Sequence, residues 1–172
     1  MKLAIMGTHS TGKTTLVNEL KKHIDLPIIS EVARSFPRDI TDNPINEMNR
    51  QMNIFRLQLS EELRHKIFIS DRSTIDNAAY MIDALQKYGY YISKKLFVDV
   101  IGCINIAIEN IDRYDYLFYI PIEFDCVDDG FRNTDEVERE NIDMIINKLV
   151  PNKIVITGTN EERVKKVLEI IK

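Results

Sequence analysis

The run Gly7-Thr8-His9-Ser10-Thr11-Gly12-Lys13-Thr14 fits G-x-x-x-x-G-K-[ST] at every fixed position, and these residue types in this order cradle the phosphates of a nucleotide. Gly7 and Gly12 allow backbone angles that a Cβ would forbid, so successive N–H groups can turn inward around phosphate oxygens at a helix N-terminus. Lys13 would reach the β- and γ-phosphates. The Thr14 hydroxyl is placed to ligate Mg2+, which keeps several waters and takes the rest of its shell from phosphates and one or two protein oxygens. ATP or GTP with Mg2+ is implied, held by the stretch from Gly7 to Thr15. His9 reads as a variable loop position, facing solvent or packing locally, rather than as a catalytic group.

Such a loop needs a strand to deliver it and a helix to receive it. Lys2-Leu3-Ala4-Ile5-Met6 is the apolar strand, and residues 15–24 have the spacing of the helix. Periodicity places further strands at 27–30, 66–70, 116–120 and 153–157, each followed by a loop and helical spacing. Met48, Met52, Phe55, Leu59 and Leu63 form one apolar stripe on a long helix starting near Pro44. Two helices, 74–87 and 93–110, meet at Gly89 beside Tyr88, Tyr90 and Tyr91; a charged helix covers 136–148 and a last one 161–171. Strands too apolar to face water on either side, alternating with helices, predict an α/β P-loop domain: a mostly parallel sheet flanked by helices, with right-handed connections.

Ligands of such sheets sit beyond the carboxyl ends of the strands. After the third strand stands Asp71, an acid able to hold Mg2+ or its bound water, or to take a proton from an acceptor hydroxyl. The plainer alternative is a helix N-terminal acid beside a Ser73 cap. Adjacent Arg72 would answer phosphate charge. After the second strand, Glu31 and Arg34 lie three residues apart, facing an acceptor or pairing with each other at the surface. The segment 121–135 is too acidic for a strand and predicts a lid over about 121–139, whose Arg132, or Arg139 two helical turns on, would meet charge on a transferred phosphoryl group while water is excluded. A solvated acidic loop is the alternative. Residues 157–160 could contact an adenine or simply cap the last helix. Lys13, Asp71 and Arg132 are thus the candidate catalytic residues, and Glu31, Arg34 and Arg72 the acceptor side.

With 172 residues the chain is expected to form one domain, without linker, repeat or membrane-length apolar run, and to be cytoplasmic. Cys103 and Cys126 make neither a zinc cluster nor a disulfide framework. Net charge is −4, and residues 123–143 hold nine acids against Arg132 and Arg139, so the remainder is only slightly basic. That balance does not support a nucleic-acid footprint and suits a small phosphorylated ligand.

The loop from Gly7 to Leu16, Glu31-Val32-Ala33-Arg34, the run Asp71-Arg72-Ser73-Thr74-Ile75-Asp76-Asn77-Ala78-Ala79-Tyr80 and Asp129-Gly130-Phe131-Arg132 together resemble the small P-loop ATPase/kinase domains related to the ribosylnicotinamide kinase part of bifunctional NAD-biosynthesis proteins. Asp-Arg-Ser after the third strand is also similar to thymidylate kinases and deoxynucleoside kinases. The resemblance spans nearly the whole chain and implies a five-stranded sheet in the order 2-3-1-4-5, a lid after strand four, and an acid and arginine serving acceptor or metal. It does not name the acceptor. Gln58 and the tyrosines Tyr80, Tyr88, Tyr90 and Tyr91 could touch a base or pack within the fold.

The reading that follows is an ATP- and Mg2+-dependent kinase of a nucleoside, nucleotide or ribosylated small molecule. A nucleotide-dependent ATPase switch with a protein partner is the rival. GTP is disfavoured because neither Asn147-Lys148 nor Asn152-Lys153 is completed by the Asp of Asn-Lys-x-Asp. A kinase of polynucleotide ends is disfavoured by the missing basic groove.

Overall fold

The structure is a computed structural model that describes residues 1–37, 41, 43–125 and 135–172. Five short strands, β1 (Lys2–Met6), β2 (Ile28–Ile29), β3 (Phe68–Asp71), β4 (Tyr116–Tyr119) and β5 (Ile154–Val155), alternate with helices α1 (Lys13–Leu20), α2 (Pro44–Arg64), α3 (Thr74–Tyr88), α4 (Lys94–Glu109), α5 (Glu136–Leu149) and α6 (Asn160–Ile170). The sheet order is β2-β3-β1-β4-β5 and every pairing is parallel, with Ile5 level with Asp71 on one side and Phe118 on the other. The order and the helical layers are those implied by the motifs.

The central strand shows why the sheet needs cover on both faces. Leu3 and Ile5 join Leu16, Val17, Leu20, Val164 and Val167 beneath α1 and α6, whereas Met6 points the other way, into Ile75, Ala79, Ile142 and Ile146 of α3 and α5. Alternating side chains of one strand therefore enter two separate cores. Helix starts are marked by side chains: Asn43 caps α2 ahead of Pro44, Ser93 caps α4, Asp135 caps α5, and Ser73 with Asp76 and Thr159 with Glu162 form capping boxes on α3 and α6. Among the described residues no helix is long and apolar enough to cross a membrane.

Helix α2 departs from the stripe expected of it. Met48, Met52 and Phe55 are buried, but Leu63 is 70% exposed while Gln58 and Glu62 are buried. At about 100° per residue, Leu63 lies roughly 60° around from Met48, so the drift carries it out of the seam and turns Glu62 in. Glu62 accepts from Gln58 Nε2 (2.7 Å) and Tyr114 Oη (2.8 Å) and pairs with Arg113, while Gln58 also donates to Ser70 Oγ in β3 (2.8 Å). Gln58 thus packs within a polar network under β3. Removing one member of a buried ion pair is costly, so Glu62→Ala is expected to destabilise the fold by about 3 kcal/mol or more, and Leu63→Ala by under about 0.5 kcal/mol. Urea midpoints of the two variants check this; equal shifts would refute it.

Candidate phosphate-binding site

The phosphate loop leaves the end of β1 and closes onto α1 through residues of unusual backbone. Gly7 (φ 144°), Ser10 (φ 54°) and Gly12 (φ 86°) all have positive φ. Three side chains from distant elements hold the loop in that shape. Asp76 Oδ1 accepts the Gly7 N–H (2.8 Å) while its Oδ2 accepts from the Ser73 N–H (2.8 Å) and hydroxyl (2.6 Å), so the capping box of α3 also anchors the first residue of the loop. Arg139, 1% exposed in α5, donates to the carbonyls of His9 (3.3 Å), Ser10 (3.0 Å) and Phe124 (2.8 Å). Arg163 of α6 donates to the Thr11 carbonyl (2.8 Å) and pairs with Glu123, whose carboxylate in turn accepts the Gly158 N–H (3.1 Å). Thr11 Oγ1 donates to the Thr8 carbonyl (3.2 Å).

Within this frame the reactive groups converge. Lys13 Nζ donates to the Thr8 carbonyl and to Thr11 Oγ1 (3.2 Å). Thr14 Oγ1 donates to Asp71 Oδ2 (2.6 Å), and Asp71 Oδ1 is buried with no hydrogen-bond partner among the described residues. Burial raises the Asp71 carboxyl above its usual range, with Lys13 the largest opposing influence. A hydroxyl and a carboxylate oxygen so close form the hard-oxygen donor set that suits Mg2+, which draws its other ligands from phosphates and water. Among the described residues no group of three or more His, Cys, Asp or Glu side chains could hold a metal by itself.

Lys13 is buried, and that burial, followed by the charge of Arg72, pushes its ammonium down to about 7 from 10.5. The unfolded chain therefore holds this proton up to 10.5 while the folded one releases it near 7. Between those values the unfolded state binds more protons, so this group's contribution to stability rises with pH. A triphosphate beside Lys13 would restore the proton. Nucleotide binding at pH 8 is therefore expected to take up close to one proton, and almost none near pH 6. Calorimetry in buffers of different ionisation enthalpy measures this uptake; it should vanish in Lys13→Met.

Just past β3, Arg72 (φ 91°) turns the chain sharply. Its Nε donates to Glu31 Oε1 (2.7 Å), its guanidinium reaches the Gly7 carbonyl (3.4 Å) and lies 5.2 Å from the centre of the Tyr80 ring. Glu31 Oε2 accepts from Arg34 Nε (3.3 Å), so the two residues pair with each other: Arg34 is an exposed partner, while the Glu31 and Arg72 side chains are buried together. Tyr80 Oη is 3.1 Å from His9 Nδ1. His9 does not face solvent as a loop position could; it is 5% exposed. Of the other tyrosines, Tyr88 packs against the core of α2, α3 and α4, and Tyr90 and Tyr91 are exposed.

The candidate residues Gly7, Thr8, His9, Ser10, Thr11, Gly12, Lys13, Thr14, Glu31, Asp71 and Arg72 thus come to one place, with Thr15 exposed on α1. Arg132 and the Asp-Gly-Phe-Arg run, like Cys126, lie outside the described residues. Arg139 stands in the wall of the loop, its guanidinium on backbone carbonyls and Glu136. Asp76 and Arg163 belong to the site without having been singled out from the sequence. The S-x-x-D capping spacing signals Asp76, whereas nothing local distinguishes Arg163 from the other charges of α6.

No curated protein matches the chain in sequence. Solved structures do match in fold. Deoxyadenosine kinase from M. mycoides with products dCMP and a flexible dCDP bound superposes with a TM-score of 0.74 at 15% identity, over 99% of this chain and 98% of that one. Thymidylate kinase from Ehrlichia chaffeensis gives 0.57 at 17% identity, covering 100% and 98%. NadR in complex with NR gives 0.70 at 23% identity over 98% of this chain but 50% of that protein, so the match spans half of NadR's length. These are the kinds of protein that the motifs resemble, and they share its parallel P-loop sheet. A family model described as AAA domain (AAA_28) matches residues 2–163, from β1 to the Arg163 that braces the phosphate loop, and the chain belongs to that family.

Proposed function

We propose that the chain is an ATP- and Mg2+-dependent kinase that transfers a γ-phosphoryl group to a nucleoside, nucleotide or related ribosylated small molecule. The observation that carries this reading is the placement of Asp71. Its carboxylate touches Thr14 of the phosphate loop at 2.6 Å, and its sequence neighbour Arg72 is locked to Glu31 at 2.7 Å on the acceptor side. One turn of chain thereby joins the donor loop to a second, charged subsite, as transfer between two bound molecules requires. Lys13 and the loop amides would hold the triphosphate, and Thr14 and Asp71 the metal with its waters. Arg72 would hold the acceptor, with Glu31 fixing the guanidinium and Arg34 at the outer edge. Arg132 of the lid segment is assigned to the transferred group. Mg2+, when bound, supplies charge neutralisation between the phosphates. The relatives of known structure that carry nucleotides or NR support a small-molecule acceptor.

The test is an ATP-consumption screen with Mg2+ against nucleosides, deoxynucleosides, their monophosphates and nicotinamide riboside, read by product mass, with Lys13→Ala as the blank. A product heavier by one phosphoryl group, about 80 Da, that is lost in the blank establishes the reading. ATP binding without acceptor-dependent turnover would point instead to a nucleotide-dependent switch.

A further inference from the structure

His9 is the third residue of the phosphate loop and the one loop side chain with an imidazole's two distinct nitrogens. The fold fixes it on every side. Its carbonyl accepts from Arg139 Nε (3.3 Å), its Nδ1 meets Tyr80 Oη (3.1 Å), and the residue is 5% exposed. Nε2 is buried without a hydrogen-bond partner among the described residues. An unmade hydrogen bond at a buried polar atom costs about 1–3 kcal/mol, so such atoms are rare unless a ligand completes them. The charges that act on the ring are chiefly cationic: Arg72, Lys13 and Arg139, against Glu138 alone. Burial and then Arg72 push the imidazole down to about 4 from 6.5, so at neutral pH it is an uncharged ring with a single N–H. A neutral donor surrounded by cations suits an anionic oxygen, and in the tautomer whose Nδ1 accepts from the Tyr80 hydroxyl the proton sits on Nε2.

We propose that His9 donates its Nε2–H to an oxygen of the nucleotide's γ-phosphate, with Tyr80 as the positioning residue that orients the ring. The proposal deepens the kinase reading and rests on its nucleotide-binding half. Tyr80 also carries Arg72 over its ring face at 5.2 Å, so a single side chain registers the γ-phosphate donor against the acceptor-side arginine. An uncharged donor at this point stabilises charge on the phosphoryl oxygens as they move in transfer.

The test compares binding of ADP and AMP-PNP, each with Mg2+, to the parent chain and to His9→Gln, His9→Asn, His9→Ala and Tyr80→Phe. The amide nitrogen of Gln reaches the place of Nε2, and the amide of Asn only that of Nδ1. His9→Asn and His9→Ala should bind AMP-PNP roughly 10- to 100-fold more weakly, as for a hydrogen bond to a charged group, with ADP affinity unchanged. His9→Gln should bind both nucleotides as the parent does, and Tyr80→Phe should lose part of the AMP-PNP affinity only. Equal losses for ADP and AMP-PNP, or an Asn variant that holds AMP-PNP as tightly as the Gln variant, would overturn the proposal. A parent chain that binds neither nucleotide overturns both this proposal and the kinase reading. The expected binding pattern without phosphorylation of any acceptor overturns the kinase reading alone.

Discussion

Asp71→Asn is expected to lower turnover about a thousandfold while leaving the KM for ATP within about threefold of the parent. The substitution keeps the shape of the side chain and its hydrogen-bonding capacity toward Thr14 Oγ1, now 2.6 Å away, but removes the negative charge. On the proposed reading the triphosphate would be held mainly by the loop amides and Lys13, which the change does not touch. What would be lost, on the same reading, is the charge proposed to anchor metal and water or to accept the acceptor's proton, and such a charge matters in the transition state more than in the ground state. Steady-state kinetics with the acceptor found in the screen decides the matter. Equal losses in turnover and ATP affinity would show that Asp71 serves nucleotide binding alone.

Gly7→Ala should abolish nucleotide binding, with at least about a hundredfold loss of affinity. A Cβ on Gly7 would lie 2.5 Å from the Ile120 carbonyl oxygen, at a φ of 144° that L residues rarely adopt. The clash is with the Ile120 backbone, which has no flexible end to yield, so the loop must move, and the Gly7–Asp76 contact of 2.8 Å moves with it. Gly102 in α4 supplies the contrast, because nothing lies within 4 Å of its Cβ position. Gly102→Ala should leave nucleotide affinity unchanged and raise the unfolding free energy by about 0.5–1 kcal/mol. Nucleotide titration and thermal unfolding of the two variants check both halves.

The two alanine substitutions also mark how far the fold and the site were legible in the residues. Gly7, Gly12, Lys13 and Thr14 were readable because binding phosphates along a turn imposes residue types at fixed spacing, and the apolar flanks imposed the strand and helix around them. The place of Asp71 and Arg72 beside the phosphate loop was readable, since a parallel sheet brings the carboxyl ends of its strands to one edge. Leu63 was misplaced because periodicity over a helix of 21 residues, Pro44–Arg64, accumulates drift that a short stripe does not show. For His9 the sequence left solvent exposure and local packing both open, because exposure of a loop residue depends on what α3 and α5 bring above it, and its neighbours in sequence say nothing of that.

What the amino-acid sequence by itself determined is the local chemistry: a phosphate loop, alternating elements of a two-faced sheet, and an acid and arginine at the end of β3. Only the tertiary structure decided that Asp76, Arg139 and Arg163, three charged residues on three different helices, brace the loop's backbone, and that Tyr80 links His9 to Arg72. Hydrogen bonds within a motif recur at fixed sequence offsets and leave a spelling behind. A guanidinium that reaches a carbonyl across 152 positions, as Arg163 reaches Thr11, has its geometry set by how α6 packs on α1, and no local pattern records it.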